Sequence, residues 1–235
     1  MPGWEGELPP PSIRTVDDMR SVLADPACKE SGSLYFMYRD LARNAKDRCW
    51  LSDHHLRYDL TVIPPRELCG EYVKTKGHYH PKNPAGVGYP EIYEVLDGEA
   101  WYLLQSKTLD DIVLVAAKAG DLVIIPPEYG HVSINPSPAR TLVMANIVST
   151  RFESEYGEYE TRHGAAYYAM GGEKLKKNPH YPAVPAVRKM GMGFSIERYR
   201  FCASPLYDLI GNGEALAFLN HPEQYREVFK GLLKD

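Results

Sequence analysis

Short runs of hydrophobic residues, each bounded by glycine, proline or aspartate, follow one another from residue 70 to residue 149. The runs read GEYVKT, EIYEVL, AWYLLQ, IVLVAA, LVIIPP, HVSIN and RTLVMANIVS, and a turn at Asp97-Gly98 separates two of them. No helix-length segment lies between them, and parallel strands need such a crossover connection. The pattern therefore predicts an antiparallel barrel or jelly roll.

Two earlier segments also have the pattern of strands. SLYFMY, residues 33–38, is almost wholly apolar or aromatic, and HLRYDLTVI, residues 55–63, alternates apolar and polar side chains. Alternation with a period of two is typical of a strand that buries one face. Both segments are therefore predicted to be strands of the same β domain.

Helical spacing is restricted to the two ends of the chain. TVDDMRSVLAD offers a hydroxyl cap at Thr15, acidic residues in the first turn and then apolar residues three and four apart. PEQYREVFKGLLKD places Tyr225, Val228, Phe229 and Leu232 on one helical face. We expect a short N-terminal helix and a C-terminal amphipathic helix that packs on the β domain or on a partner subunit.

Composition supports this picture and limits the partners. The 235 residues include 19 glycines, 19 prolines and 17 tyrosines, which favours many short strands over long helices. The net charge of -4 and the pI of about 6.1 repel phosphate backbones and anionic lipids, so no nucleic-acid or membrane partner is expected. No apolar run approaches the ~20 residues that cross a bilayer, and no leader segment is recognisable, which predicts a cytoplasmic protein.

The cysteines offer no motif of their own. Cys28, Cys49, Cys69 and Cys202 lie far apart in the sequence and form no CxxC pair. Neither a zinc ribbon nor a redox motif is therefore present. We expect reduced thiols, as is usual in a cytoplasmic protein.

Candidate chemistry begins with two histidines that stand two residues apart in TKGHYHP. Because side chains alternate along an extended chain, His78 and His80 project from the same face, as two metal ligands from one segment must. Glu91 opens the next predicted strand. The adjacent residues His54 and His55 would face opposite sides of a strand, so they are interpreted as structural or exposed.

A second cluster contains Gly120, Pro126, His131 and Asn135. Together the two clusters resemble the two motifs of the cupin superfamily, in which the HxH pair and a glutamate come from one hairpin and the last histidine from another. The resemblance implies a metal site of three histidines and one carboxylate inside a small β-barrel. One departure is Glu128, which stands where the second motif usually has a glycine.

A finer resemblance is to the archaeal-type, cupin glucose-6-phosphate isomerases. Their signature positions are filled here by Thr75, Gly77, His78, His80, Glu91, Tyr93, Leu96 and Gly98. The resemblance extends to Tyr35, Thr61, the segment around His131 and Tyr156, so that it covers residues 33–160.

The resemblance implies a role for each of these residues. One divalent transition metal ion is expected, Fe²⁺ first and Mn²⁺, Ni²⁺ or Zn²⁺ as alternatives, on His78, His80, Glu91 and His131. Catalysis is expected of Glu91 and Tyr93, and substrate or phosphate binding of Tyr35, Thr61, Thr75, Gly77 and Tyr156. From the residues alone, Tyr93 is equally a core side chain, and Thr61 and Thr75 are equally ordinary strand residues.

One departure from the family concerns the phosphate. The family's histidine two residues before Tyr156 is replaced by Ser154. The candidates for the missing donor are Arg162 and His163, which are the nearest basic residues that follow in the sequence.

The ligand set also suggests a reaction. Three neutral imidazoles and one carboxylate leave a divalent ion net positive, and an octahedral ion keeps two positions open for a hydroxyl next to a carbonyl. With the resemblance, this predicts a metal-dependent isomerase of glycolysis and gluconeogenesis that interconverts glucose 6-phosphate and fructose 6-phosphate through an enediol, with Glu91 as the base. The alternatives are a hydride shift, an iron-dependent cupin dioxygenase, and a non-catalytic cupin that binds a sugar phosphate or a metal.

The predicted organisation is all-β with additions at both ends. Residues 1–32 form an arm with a short helix, residues 33–160 a single cupin (jelly-roll) barrel, and residues 161–235 an extension that ends in the amphipathic helix. The expected partners are a small-molecule sugar phosphate and a second copy of the chain in a homodimer.

Overall fold

Two large β-sheets and one small sheet form the structure, a computed structural model that describes residue 4, residues 7–190 and residues 205–233. The strands are β1 (Ser12–Thr15), β2 (Ser33–Tyr38), β3 (Leu56–Ile63), β4 (Glu67–Leu68), β5 (Glu71–Tyr72), β6 (Glu91–Asp97), β7 (Glu99–Ser106), β8 (Ile112–Lys118), β9 (Leu122–Ile125), β10 (Tyr129–Ile134), β11 (Leu142–Ser149), β12 (Tyr167–Met170), β13 (Lys174–Lys177) and β14 (Arg188–Met190). The strands predicted at residues 33–38 and 55–63 are therefore confirmed, the second from Leu56 onward.

The strand order is that of a jelly roll. The six-stranded sheet has the order β1-β2-β3-β11-β6-β9, and the four-stranded sheet opposite it has the order β10-β7-β8-β14. The small sheet, β13-β12-β5-β4, also has four strands, but each of them is only two to four residues long. Sequence-distant strands such as β3 and β11 pair, which successive hairpins alone would not give. Within the described residues the two large sheets face each other without closing into one ring, and this arrangement confirms the predicted jelly roll.

One hydrophobic cluster fills the space between the two large sheets. It contains Val95 and Ile125 from the six-stranded sheet and Val113 from the opposite sheet, all fully buried. The rings of Tyr93 and Tyr102, one from each sheet, lie 5.3 Å apart between their centroids. The side chains of the apolar runs that face inward therefore meet in one core between the sheets.

The two faces of β3 point to different environments. Its apolar side chains, Leu56, Tyr58 and Leu60, belong to a second cluster on the outer face of the six-stranded sheet. The C-terminal part of the chain covers that face with Leu206, Leu216, Phe218, Leu219 and Leu232. The polar side chains of β3 consequently face the interior of the sandwich, where charged groups are costly unless they are paired.

The helices are short. They are α1 (Val16–Met19), α2 (Ala45–Asp53), α3 (Gly157–Thr161), α4 (Gly213–Leu216) and α5 (Arg226–Leu232), with 3₁₀ helices at Arg20–Val22, Leu206–Leu209, Ala217–Leu219 and Pro222–Tyr225. The predicted helices at both ends are confirmed: Thr15 and Asp18 form a reciprocal cap at α1, and Leu232 of α5 is fully buried. The described part of the chain contains no helix long and apolar enough to cross a membrane.

Helix α2 was not predicted from the sequence. Asn44 caps it by accepting a hydrogen bond from the Asp47 backbone N–H, but Leu51 is its one buried residue, so the sequence has no apolar stripe there. His54 and His55 follow at the end of this helix and are exposed. The expectation that they are exposed is confirmed, whereas their placement on a strand was wrong.

The expectation of reduced thiols was wrong for two cysteines. Cys28 and Cys69 form a disulfide, with their Cα atoms 6.0 Å apart. They are separated by 41 positions in the sequence, and only the folding of the N-terminal segment against β4 brings them together. Cys49 is free and exposed, and Cys202 lies outside the described residues.

Candidate metal centre

Three chain segments bring the four predicted ligands together. His78 and His131 exchange backbone hydrogen bonds, with N to O distances of 3.1 and 3.3 Å, and His80 follows two residues later. Glu91 is the first residue of β6. One ligand atom from each of the four side chains lies within 4.8 Å of those of the others.

The spacing of these atoms fits a single ion. The Nε2 atoms of His78 and His80 lie 3.1 Å apart, and Oε2 of Glu91 lies 3.5 Å from Nε2 of both His80 and His131. Two nitrogens that bind one ion at about 2.1 Å and at a right angle lie about 3 Å apart. Imidazole and carboxylate together suit iron, manganese, nickel or zinc.

Burial keeps the three histidines in the form that binds metals. It lowers the pKa of His80 to about 4, and it lowers the pKa values of His78 and His131 well below the usual range, with neighbouring imidazoles adding to the effect. Nδ1 of His80 lies 2.9 Å from the Tyr89 carbonyl oxygen. Because a carbonyl only accepts, the proton of His80 is on Nδ1 and the lone pair on Nε2 faces the other ligands.

Glu91 has one oxygen that is satisfied and one that is not. Nδ2 of Asn146 donates to Oε1 at 2.7 Å, whereas the buried Oε2 has no hydrogen-bond partner. Burial raises the pKa of Glu91 to about 8, and the positive charge of Arg39 opposes this increase. An unpaired buried carboxylate oxygen is costly, and a cation among the ring nitrogens would compensate it.

Three of the four ligands, His78, His80 and Glu91, form part of the wall of a cavity of about 510 Å³, a size usual for small-molecule sites. The predicted site residues on this wall are Tyr35, Thr61, Thr75, His78, His80, Glu91, Tyr93 and Tyr156. The hydroxyl of Tyr93 lies 3.1 Å from Nε2 of His131. The structure therefore brings the predicted catalytic residues and four of the predicted substrate contacts to one cavity.

Gly77 is not on the wall of this cavity. Its φ is +77°, and a Cβ atom there would lie 2.6 Å from the Tyr159 ring and 2.8 Å from Val132. Packing and backbone conformation thus account for the glycine, and its predicted contact with phosphate stays a prediction.

One part of the wall offers hydroxyl groups and positive charge. The Ser133 backbone N–H donates to Oγ1 of Thr75 at 2.9 Å, which leaves the Thr75 hydroxyl hydrogen free to donate into the cavity. The Lys76 backbone N–H donates to the Tyr35 hydroxyl at 3.2 Å. Arg14 pairs with Tyr35 in the register of β1 and β2, lines the cavity, and has a buried Nε atom without a partner.

Arg39 and Arg57 are two further wall residues that sequence reasoning missed. Both donate to Oδ2 of Asp59, at 2.7 and 2.9 Å, and the Asp59 side chain is completely buried. The signal in the sequence was the alternation in β3, where Arg57, Asp59 and Thr61 occupy the face opposite the apolar residues.

The predicted substitutes for the family histidine were wrong. Arg162 and His163 do not line the cavity, although Ser154 does. The guanidinium of Arg162 lies 4.9 Å from the centre of the Tyr181 ring, and His163 packs on His180. The positive charges near Tyr35 come instead from Arg14 and Lys76. Nζ of Lys76 also pairs with Glu160, at 2.6 Å.

A jelly-roll sandwich in which three histidines and one glutamate converge beside a cavity defines the class: a cupin-type protein with a candidate metal centre. The chain belongs to the glucose-6-phosphate isomerase (GPI) family, whose model matches residues 13–184. That range contains all of the predicted site residues. It ends before the segment that contains α4 and α5.

Sequence relatives carry the same name. The glucose-6-phosphate isomerase of Thermococcus gammatolerans is 27% identical over 177 residues, 72% of this chain and 86% of the relative. That of Thermococcus litoralis is 32% identical over 80 residues, which span 34% of this chain and 40% of the relative. A solved cupin 2 conserved barrel domain protein from Rhodopseudomonas palustris is 13% identical over 51% of this chain and 63% of that protein, with a TM-score of 0.34.

Proposed function

We propose that this chain is a metal-dependent aldose-ketose isomerase that interconverts glucose 6-phosphate and fructose 6-phosphate. The observation that carries the proposal is the convergence of His78, His80, His131 and Glu91 at a cavity whose wall also bears hydroxyl groups and cations. The relatives named glucose-6-phosphate isomerase support the substrate.

The four converging side chains are the proposed ligands of one divalent ion, Fe²⁺ first and Mn²⁺, Ni²⁺ or Zn²⁺ as alternatives. Such an ion supplies positive charge that polarises the two sugar oxygens at C1 and C2. The chain itself prepares the ligands: Tyr89 fixes the ring of His80, and Asn146 holds one oxygen of Glu91 so that the other faces the histidines. These contacts orient the ligands before any ion binds.

The phosphate is proposed to bind at the part of the wall formed by Tyr35, Thr61, Thr75 and Tyr156, with Arg14 as an additional donor. Several hydroxyl donors and one guanidinium can satisfy the phosphate oxygens without the family's histidine. Arg14 fits this role because its Nε atom is buried without a partner. Lys76 adds positive charge nearby, although Glu160 shares it.

Glu91 and Tyr93 are the proposed catalytic residues: Glu91 moves the proton between C2 and C1, and Tyr93 hydrogen-bonds a sugar oxygen. Both side chains line the cavity, and the Tyr93 hydroxyl lies beside His131. Burial keeps the pKa of Tyr93 well above its usual range, so its hydroxyl remains protonated and acts as a hydrogen-bond donor to a sugar oxygen. Glu91 is left as the group that can accept a proton from carbon.

The test is a coupled assay of fructose 6-phosphate formation by the purified full chain supplied with each candidate metal. We expect turnover of glucose 6-phosphate and a kcat/KM for unphosphorylated glucose lower by at least about 10²-fold, because charge-assisted hydrogen bonds to phosphate are then lost. Failure to form fructose 6-phosphate with any of these metals would contradict the proposal. Equal kcat/KM values for glucose and glucose 6-phosphate would contradict the proposed recognition of the phosphate.

A further inference from the structure

The C-terminal segment, residues 205–233, lies beyond the range that matches the family model. Its apolar side chains, Phe218 and Leu232 among them, pack against the outer face of the six-stranded sheet beside Leu56 and Tyr58. These contacts account for its stability. They do not account for two polar contacts that it makes beyond that sheet.

Those contacts involve the metal loop, residues 81–90, which joins the second and third proposed ligands in the sequence. Asn83 organises this loop from within. Its backbone N–H donates to the Val87 carbonyl at 2.8 Å, and its Oδ1 accepts from the backbone N–H groups of Ala85 and Val87 at 3.0 and 3.1 Å. Asn83 is 8% exposed. Its side-chain NH₂ group is directed out of the loop.

The C-terminal segment receives that NH₂ group. Nδ2 of Asn83 donates to Oε2 of Glu223 at 2.7 Å, a charge-assisted hydrogen bond of the stronger kind. Arg226, one turn further, donates from Nη2 to the Ala85 carbonyl oxygen at 3.3 Å. Residues outside the family match therefore hold the turn of residues 83–87 at its first residue, Asn83, and at its middle residue, Ala85.

The metal loop in turn sets the orientation of a proposed ligand. The Tyr89 backbone N–H donates to the Pro81 carbonyl at 3.2 Å and closes the base of the loop. The Tyr89 carbonyl accepts the Nδ1 proton of His80, and the ring of Phe152 packs between Tyr89 and His80 at 4.7 and 4.5 Å. A shift of the loop would therefore turn the imidazole of His80.

We propose that Glu223 and Arg226 are positioning residues that hold the metal loop in the shape at which His80 and Glu91 bind a divalent ion. The C-terminal segment thus belongs to the metal centre as well as to the sheet that it covers. This inference rests on the metal-binding part of the proposed function. It assigns a role to the part of the chain for which the family match offers none.

The test compares Glu223→Ala with Glu227→Ala in the full chain. Glu227 is the matched control because it is an acidic residue of the adjoining helix α5, pairs with Lys230 and is 84% exposed. Two quantities are measured: the Co²⁺ dissociation constant, by competition with a chelator, and hydrogen exchange of the Ala85 and Val87 amides without metal. Partners that orient ligands typically contribute 10- to 100-fold in metal affinity.

We expect Glu223→Ala to weaken Co²⁺ binding by about tenfold and to speed exchange of both amides, while Glu227→Ala changes neither. Glu223→Gln keeps an oxygen that can accept from Asn83 and should recover most of the affinity. Equal affinity and equal exchange in Glu223→Ala and Glu227→Ala would overturn the inference alone. A wild-type chain that binds no Co²⁺ would overturn the proposed function together with it.

Discussion

At the scale of single residues, Glu91 shows how two roles can be separated. Glutamine at this position keeps the size of the side chain but is not a useful base. Because Asn146 donates to Oε1, the glutamine would turn its oxygen to Asn146 and its NH₂ group to the ring nitrogens. We therefore expect Glu91→Gln to bind metal more weakly, and kcat at saturating metal to fall by about 10²- to 10⁴-fold.

A second substitution serves as the control for this prediction. Aspartate in place of Asn146 can accept from the glutamine NH₂ group, which turns the glutamine oxygen back to the metal. The pair Glu91→Gln and Asn146→Asp should thus recover metal affinity while kcat stays low. Near-normal kcat in Glu91→Gln at saturating metal would make Glu91 a ligand only. Exchange of the substrate C2 hydrogen in heavy water then separates proton transfer by Tyr93, which permits exchange, from a hydride shift.

Thr75 is the residue to test for hydrogen bonding to phosphate. Its hydroxyl accepts from the Ser133 backbone N–H and retains a hydrogen to donate. Thr75→Val should raise KM for glucose 6-phosphate by about 10- to 100-fold, because a hydrogen bond to a charged group contributes about 1.5–3 kcal/mol. Thr75→Ser keeps the hydroxyl and is the control for the lost bond to Ser133. If Thr75→Val leaves KM unchanged, Thr75 does not contact the phosphate.

Arg14 and Arg162, the two arginines considered as phosphate donors, give a matched pair of substitutions. Arg14 lines the cavity next to Tyr35, whereas Arg162 packs on the Tyr181 ring away from it. Arg14→Ala should raise KM for glucose 6-phosphate by about tenfold or more without changing metal content, and Arg162→Ala should not change KM. Steady-state kinetics in which Arg162→Ala raises KM and Arg14→Ala does not would place the phosphate near Arg162, as the sequence predicted.

At the scale of elements, strand β3 shows what an alternating pattern can predict and what it cannot. The alternation from Leu56 onward predicted the strand correctly, because a strand with two different faces has that period. It did not predict that the apolar face points outward to the C-terminal segment, since the period is the same for either orientation. The charged face with Asp59 was therefore not recognised as a wall of the site.

Helix α5 leads to a prediction about truncation. Deleting residues 222–235 removes the fully buried Leu232 and exposes the sheet face that it covers. Each large apolar side chain that is lost contributes about 1.5–3 kcal/mol, so the melting temperature should fall by several degrees and aggregation should increase. At saturating metal, activity per folded molecule should survive. A truncated chain that melts normally but stays inactive at saturating metal would contradict this account.

At the scale of the whole molecule, local signals predicted most of the strands and the four converging side chains. The HxH spacing, Glu91 and the segment around His131 were visible in the sequence because each is a short local motif: Glu91 begins β6, and His131 lies within β10. The disulfide between Cys28 and Cys69 and the position of Arg14 depend on contacts between distant segments, which no local pattern contains. Homodimer formation and a cytoplasmic location stay predictions.

The measurement that tests the central claim most directly is a metal titration of the chelated full chain. Bound metal and the rate of fructose 6-phosphate formation are measured on the same samples. We predict negligible activity without metal, a rate that rises in proportion to bound metal, and saturation at one ion per chain, with His131→Ala failing to reach it at the same concentration. Full activity in metal-free protein would contradict the account.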